Sequence, residues 1–135
     1  MKKSITQEDS MGCGAACVAY VTGSPYHVAV SILGITKAQT RGFHIKELVE
    51  GLKYFGYSSH YSRIKVGERR IYHEGDIVFI RRYKRYPYGH YLVKISQGWM
   101  DPWINLPFDQ DIMNAQSGLR KRLPGKAQYV VSLDK

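Results

Sequence analysis

The chain has 135 residues, 44% of them hydrophobic, with 11 Tyr, 2 Trp and a formal net charge of +9. That apolar content suits one folded domain over residues 1–135 and excludes a disordered chain. No apolar run reaches the ~20 residues needed to span a bilayer, and two cysteines are too few for a disulfide framework.

The start, Met1-Lys2-Lys3 followed by polar Ser4–Asp9, lacks the apolar stretch of a secretory signal. The expectation is a cytoplasmic protein with no stable membrane insertion. The positive charge is compatible with nucleic acid, an acidic surface or an acidic substrate, and does not choose among them. Cys13 and Cys17 are one helical turn apart, a poor disulfide geometry, and His27 does not stand at a zinc-site spacing. No metal and no cofactor are expected.

Residues 1–12 read as an irregular lead-in. A first helix is predicted from Cys13 to about Val21, with Ala15, Ala16 and Ala19 allowing close packing. Gly23 ends it, and Ser24-Pro25 reads as the N-cap and first residue of the next helix. That second helix runs to about Leu33 and closes at Gly34, and Ile35–Gly42 reads as a polar loop. The third helix, about His44–Phe55, carries the clearest amphipathic period: Ile45, Leu48, Val49, Leu52 and Phe55. Gly56 stops it.

Beyond Gly56 the period changes to two. Tyr57–Ile64 alternates, Ile77–Ile80 suits a central strand, and Tyr91–Ile95 forms another. Ser96-Gln97-Gly98 is a turn into Trp99–Asp101, with Pro102 limiting that strand. A short helix is expected within Phe108–Gln116 and a last strand within Lys126–Leu133. Helices first and strands after predict an α+β fold with N-terminal helices packed on a mostly antiparallel sheet.

Cys13 stands between two glycines at the start of a buried helix. The positive end of the helix dipole and unpaired N–H groups there activate a thiol as a nucleophile. Gln7, six positions upstream, is close enough to help build an oxyanion site. A nucleophilic cysteine needs a base, and the base needs an orienting acceptor. Of five histidines, His90 alone follows a Gly and opens a strand, a rigid place from which an imidazole can face a helix terminus. The hairpin through Gly98 returns Asp101 beside it, on a strand about 5 Å away. Taken singly, the cysteine reads as a small core residue, the histidine as satisfied core and Asp-Pro as a turn. The ordered set of Gln, Cys, His and Asp carries the functional reading.

In that order and spacing, Gln7 with Cys13-Gly14-Ala15-Ala16-Cys17, then Gly89-His90-Tyr91-Leu92-Val93, then Asp101-Pro102, resembles the C39 peptidases. These are bacterial papain-like cysteine peptidase domains that process bacteriocin leader peptides. Gly42–Leu48 and Leu52–Tyr57 are similar to the family's helix between the Cys and His blocks. The resemblance implies a papain-like fold, Cys13 as nucleophile, His90 as base, Asp101 as its orienter and Gln7 as an oxyanion donor. It implies a peptide or protein substrate, possible cleavage within a leader, and no cofactor.

The same triad serves a related amidase, deamidase or acyltransferase acting as a toxin or effector. A different class is a non-catalytic module binding peptide or nucleic acid, although nucleic acid is not the expected partner. Arg81-Arg82-Tyr83-Lys84-Arg85-Tyr86-Pro87-Tyr88 immediately precedes His90, which places it at the rim of any cleft. It reads as a solvated hairpin whose tyrosines pack sideways, or as a loop contacting an acidic partner. Arg120-Lys121-Arg122 reads as an added positive face or a solvated turn, and Trp99 and Trp103 as core or as cleft wall.

Overall fold

The change of period at Gly56 divides four helices from six strands in the structure, a computed structural model that describes residues 2–134. Helix α1 spans Cys13–Thr22 and buries Gly14 through Ala19 together with Val21. Its small side chains let neighbours approach on all sides, which is why it forms the centre of the helical layer. Helix α2 spans Tyr26–Leu33. It starts one residue later than its Ser24-Pro25 signal suggests. Pro25 is the extended cap residue, its carbonyl accepting from Val28 and Ala29, while the Ser24 hydroxyl pairs with Thr22.

The segment expected as a polar loop contains a further short helix, α3, Ile35–Gln39. It is there to bury Ala38, whose carbonyl accepts from the Met11 amide at 2.8 Å and ties down the lead-in before Cys13. Helix α4, Ile45–Tyr54, follows its amphipathic pattern, with Leu48 and Leu52 buried. His44 is its cap, and Glu47 reaches back to the His44 amide at 2.9 Å. Glu47 also holds Lys37 and Arg41, so one carboxylate fixes α3, the Arg41–His44 loop and the start of α4 together. Among the described residues no single helix is long and apolar enough to cross a membrane.

The sheet comprises β1 (Ser59–Arg63), β2 (Ile77–Ile80), β3 (His90–Ile95), β4 (Gly98–Asp101), β5 (Gly118–Arg120) and β6 (Ala127–Leu133). The order is β1-β6-β2-β3-β4-β5, every pair antiparallel. The region expected to hold a short helix contains a 3₁₀ turn, Ile112–Asn114. Strand alternation sends Ile77, Tyr91, Val93, Met100 and Val131 toward the helices. Val78, Ile80, Leu92, Trp99 and Val130 form a second apolar layer on the other face, with Ile64 and Tyr86. Trp99 and Trp103 are both buried.

Candidate active site

Cys13 is the first residue of α1, and the absence of a side chain at Gly14 sets how closely that helix end docks. A Cβ there would stand 3.0 Å from Leu48 and 3.3 Å from Phe43 and Tyr91. The first turn of α1 therefore rests against α4 and β3 at once. Cys13 remains partly exposed, facing a cleft of about 1390 Å³ that Gln7, Phe43, Tyr88, His90 and Trp103 also line.

His90 opens β3, directly after Gly89, which has φ +71°. The β3–β4 hairpin turns through Ser96-Gln97 and pairs Ile95 with Gly98 and Val93 with Met100. That register puts Asp101 opposite Leu92 and therefore on the same face as His90, one diagonal step away. The pair closes with His90 Nε2 2.6 Å from Asp101 Oδ1, both side chains essentially unexposed. The other ring nitrogen, Nδ1, is left for Cys13, which lines the same cleft and whose side chain helps to favour the charged imidazole. The structure brings His90 and Asp101 into contact and places Cys13 in the same cleft.

Burial opposes a charged ring at His90. The Asp101 charge and hydrogen bond, with further help from Cys13, outweigh it and hold the imidazolium to about pH 10. Burial likewise opposes the Asp101 carboxylate. His90, Arg120 and the Trp103 amide overcome that and take its pKa down to about 2. Cys17, one turn deeper in α1, is fully buried, and burial pushes its thiol up, which suits core rather than chemistry.

Gln7 is buried beside this group, its amide N–H bonded to the Pro102 carbonyl at 3.2 Å. Its Nε2 donates to the carbonyls of Asp9 at 3.0 Å and Ser10 at 3.3 Å. The Ser10 contact is long, so one hydrogen is weakly held. The Gln7 Oε1 is buried without a partner, at a cost of about 1–3 kcal/mol.

Two members of the site carry no signal of their own in the sequence. Arg120, on β5 opposite Trp99, donates through Nε to Asp101 Oδ2 at 2.6 Å. Tyr86 is 1% exposed and stacks on the His90 ring, centroids 5.3 Å apart and planes 21° apart. Arg120 looks like the start of a basic run, and Tyr86 like one of several loop tyrosines. Only the fold separates them from their neighbours. The Tyr83–Tyr86 bridge folds the basic loop on itself and turns Tyr86 inward, while Arg81, Arg82, Lys84 and Arg85 stay exposed. Among the described residues no group of three or more His, Cys, Asp or Glu side chains is placed to hold a metal ion.

A thiol at a helix N-terminus, facing an imidazole that a carboxylate orients, equips a cleft for cysteine-based acyl chemistry. The chain belongs to the Peptidase C39 family, whose profile matches residues 1–112, and is therefore a cysteine peptidase. Its fold is that of the crystallised peptidase domain of Streptococcus ComA, a bi-functional ABC transporter involved in a quorum sensing pathway. The two agree with a TM-score of 0.63 over 98% of each chain, at 18% sequence identity. No curated protein matches the chain.

Proposed function

We propose that Cys13, His90 and Asp101 act as the triad of this peptidase, and that the substrate is a peptide cleaved within a leader segment. The observation that carries the reading is the His90 ring, hydrogen-bonded through Nε2 to Asp101 and sharing with Cys13 the lining of one cleft. The Cys13 sulfur, as a thiolate paired with the His90 imidazolium, attacks the scissile carbonyl, forming the S–C bond. The oxyanion is met by the Cys13 backbone N–H and by Gln7 Nε2, which gives up its long contact to Ser10. Collapse breaks the C–N bond as His90 protonates the departing amine. Water, deprotonated by the same ring, then releases the acyl group and restores the thiolate–imidazolium pair. The family resemblance supports the leader-peptide substrate.

The cleft rim favours acidic stretches in that substrate. Arg81, Arg82, Arg85, Arg41 and Lys46 line it against Glu47 and Glu50, and Glu47 is already committed to Lys37 and Arg41. The decisive experiment is digestion of a proteome-derived peptide library, read by mass spectrometry. New termini with the wild-type chain, enriched for Asp and Glu nearby and suppressed by salt, are the expected result. Cys13→Ala and His90→Ala abolish cleavage, Asp101→Ala lowers it by roughly 10²–10⁴, and Gln7→Ala by about 10²–10³. A mass gain of one dalton without chain cleavage identifies a deamidase instead, and joined peptides an acyltransferase. Cleavage that survives Cys13→Ala overturns the assignment.

A further inference from the structure

The Asp101 carboxylate has two oxygens and three hydrogen-bond donors. Oδ1 takes His90 Nε2 at 2.6 Å and the Trp103 amide at 2.9 Å, while Oδ2 takes Arg120 Nε at 2.6 Å. The same guanidinium donates through its NH2 group to the Ile104 carbonyl at 3.0 Å and to the Tyr86 hydroxyl at 3.2 Å. Tyr86 is the ring that covers His90. One side chain therefore fixes the plane of the orienting carboxylate and the position of the aromatic cover over the base. Arg120 lies beyond the segment, residues 1–112, that the family profile matches.

We infer that Arg120 is a positioning residue of the active site, clamping Asp101 and Tyr86 so that the carboxylate stays ionised and aligned through the whole reaction cycle. The inference rests on the triad proposed above. The physical reason lies in the changing charge of His90. While the ring carries its proton, Asp101 has a cation beside it. When the ring hands that proton to the leaving amine, Asp101 would remain a buried anion with no counter-charge, a state that favours taking up a proton. The Arg120 guanidinium on Oδ2 gives Asp101 a second cation besides His90. Its hold on Oδ2, opposite the Trp103 amide on Oδ1, also stops the carboxylate turning about its own axis, which would misalign His90 Nε2. Tyr86, held by its hydroxyl, stacks on the imidazole and shields the His90–Asp101 bond from water.

The test is the rate of Cys13 alkylation by iodoacetamide across acid to alkaline pH, with peptide mapping to separate Cys13 from Cys17. In the wild-type chain, reactivity persists on the acid side because the charged His90 supports the sulfur. In Arg120→Gln, alkylation near pH 5 falls about tenfold or more, while near pH 9 it stays within about twofold of wild type. A lost packing contact alone would not produce such a pH-selective change. Arg120→Lys keeps the cation but not the fork, and recovers most of the acid-side rate. Tyr86→Phe keeps the stacked ring and loses only the hydroxyl, giving a loss of about two- to threefold on the same limb. A wild-type profile in folded Arg120→Gln overturns the inference. Should Arg120→Gln fail to fold, a wild-type profile in both Arg120→Lys and Tyr86→Phe overturns it equally. If the wild-type chain itself shows no acid-side reactivity at Cys13, the triad is what fails, and that outcome is separate from these.

Discussion

The Tyr26 hydroxyl donates to Asp9 Oδ2 at 2.7 Å, across the point where Gly12 has no side chain. A Cβ on Gly12 would fall 2.1 Å from that hydroxyl and 3.2 Å from the ring carbon bearing it. Gly12 has φ −92° and ψ 10°, open to any residue, so the demand for glycine is steric. Helix α2 thus holds the lead-in against α1 just before Cys13. Gly12→Ala is expected to destabilise by about 1–3 kcal/mol through overpacking, and to lower turnover by displacing Cys13. Tyr26→Phe costs about 1–2 kcal/mol through the lost hydrogen bond. Because removing the hydroxyl opens the space the new methyl needs, the double variant is less destabilised than the sum, by about 1 kcal/mol. Urea unfolding of the four proteins measures this. Strict additivity would show that the two residues do not share the space.

Gly89 imposes a comparable demand on His90, with both sterics and backbone against a side chain. At φ +71° a Cβ would meet Phe79 at 2.2 Å and the Ile80 carbonyl oxygen at 2.8 Å. Gly89→Ala is expected to cost about 2–4 kcal/mol, from left-handed strain and overpacking together, and to remove activity with the placement of His90. Phe79→Leu in the same chain relieves the ring contact but not the backbone one. Thermal unfolding should therefore show only partial recovery.

Local signals made much of this site readable in the sequence. Glycines punctuated the ends of α1 and α4, the 3.6 period of α4 was strong, and a two-residue turn was enough to bring Asp101 back to His90. The elements missed are those whose reasons are not local. Five residues of α3 are too few to display a period, and they fold to bury Ala38 and anchor Met11. Strand β5 is three residues long, with Leu119 51% exposed, and exists by pairing with β4. The insertion of β6 between β1 and β2 is a long-range choice that no adjacent residues encode. Arg120 and Tyr86 depend on both kinds of information. They reach Asp101 and His90 only once β5 is paired and the basic loop has folded inward.

Stability should follow the charge states of the buried pair. His90 is faced by Asp101 from β4, Cys13 from α1 and Tyr86 from the basic loop, and Asp101 also by Arg120 from β5. The folded ring holds its proton to about pH 10, above its unfolded value of ~6.5. Its contribution is therefore complete below ~6.5 and lost as pH rises through 10. The Asp101 pKa is lowered to about 2, so its contribution is present above ~3.9 and lost as pH falls through 2. Both are in force between ~3.9 and ~6.5. The urea midpoint should be highest there and fall toward alkaline pH, with His90 adding at most about 1.4 kcal/mol per pH unit. His90→Gln should flatten that alkaline decline. A decline of unchanged slope in the variant would assign it to other groups.

The pairing of Asp101 with Arg120 separates stability from chemistry. Asp101 is fully buried, whereas the Arg120 side chain is 23% exposed. Asp101→Ala leaves both His90 and Arg120 without their acceptor. The expected loss is about 3 kcal/mol, the low end for breaking a buried pair because water reaches part of the guanidinium. Adding Arg120→Met removes the unmatched cation and places an apolar chain against Trp99 and Tyr86. That double variant should regain about 1–2 kcal/mol. It should regain no peptidase activity, because the imidazole still has nothing to orient it. Urea unfolding read alongside peptide cleavage checks both halves. Recovery of cleavage with stability would mean that Asp101 acts only by holding the fold, and would remove it from the triad.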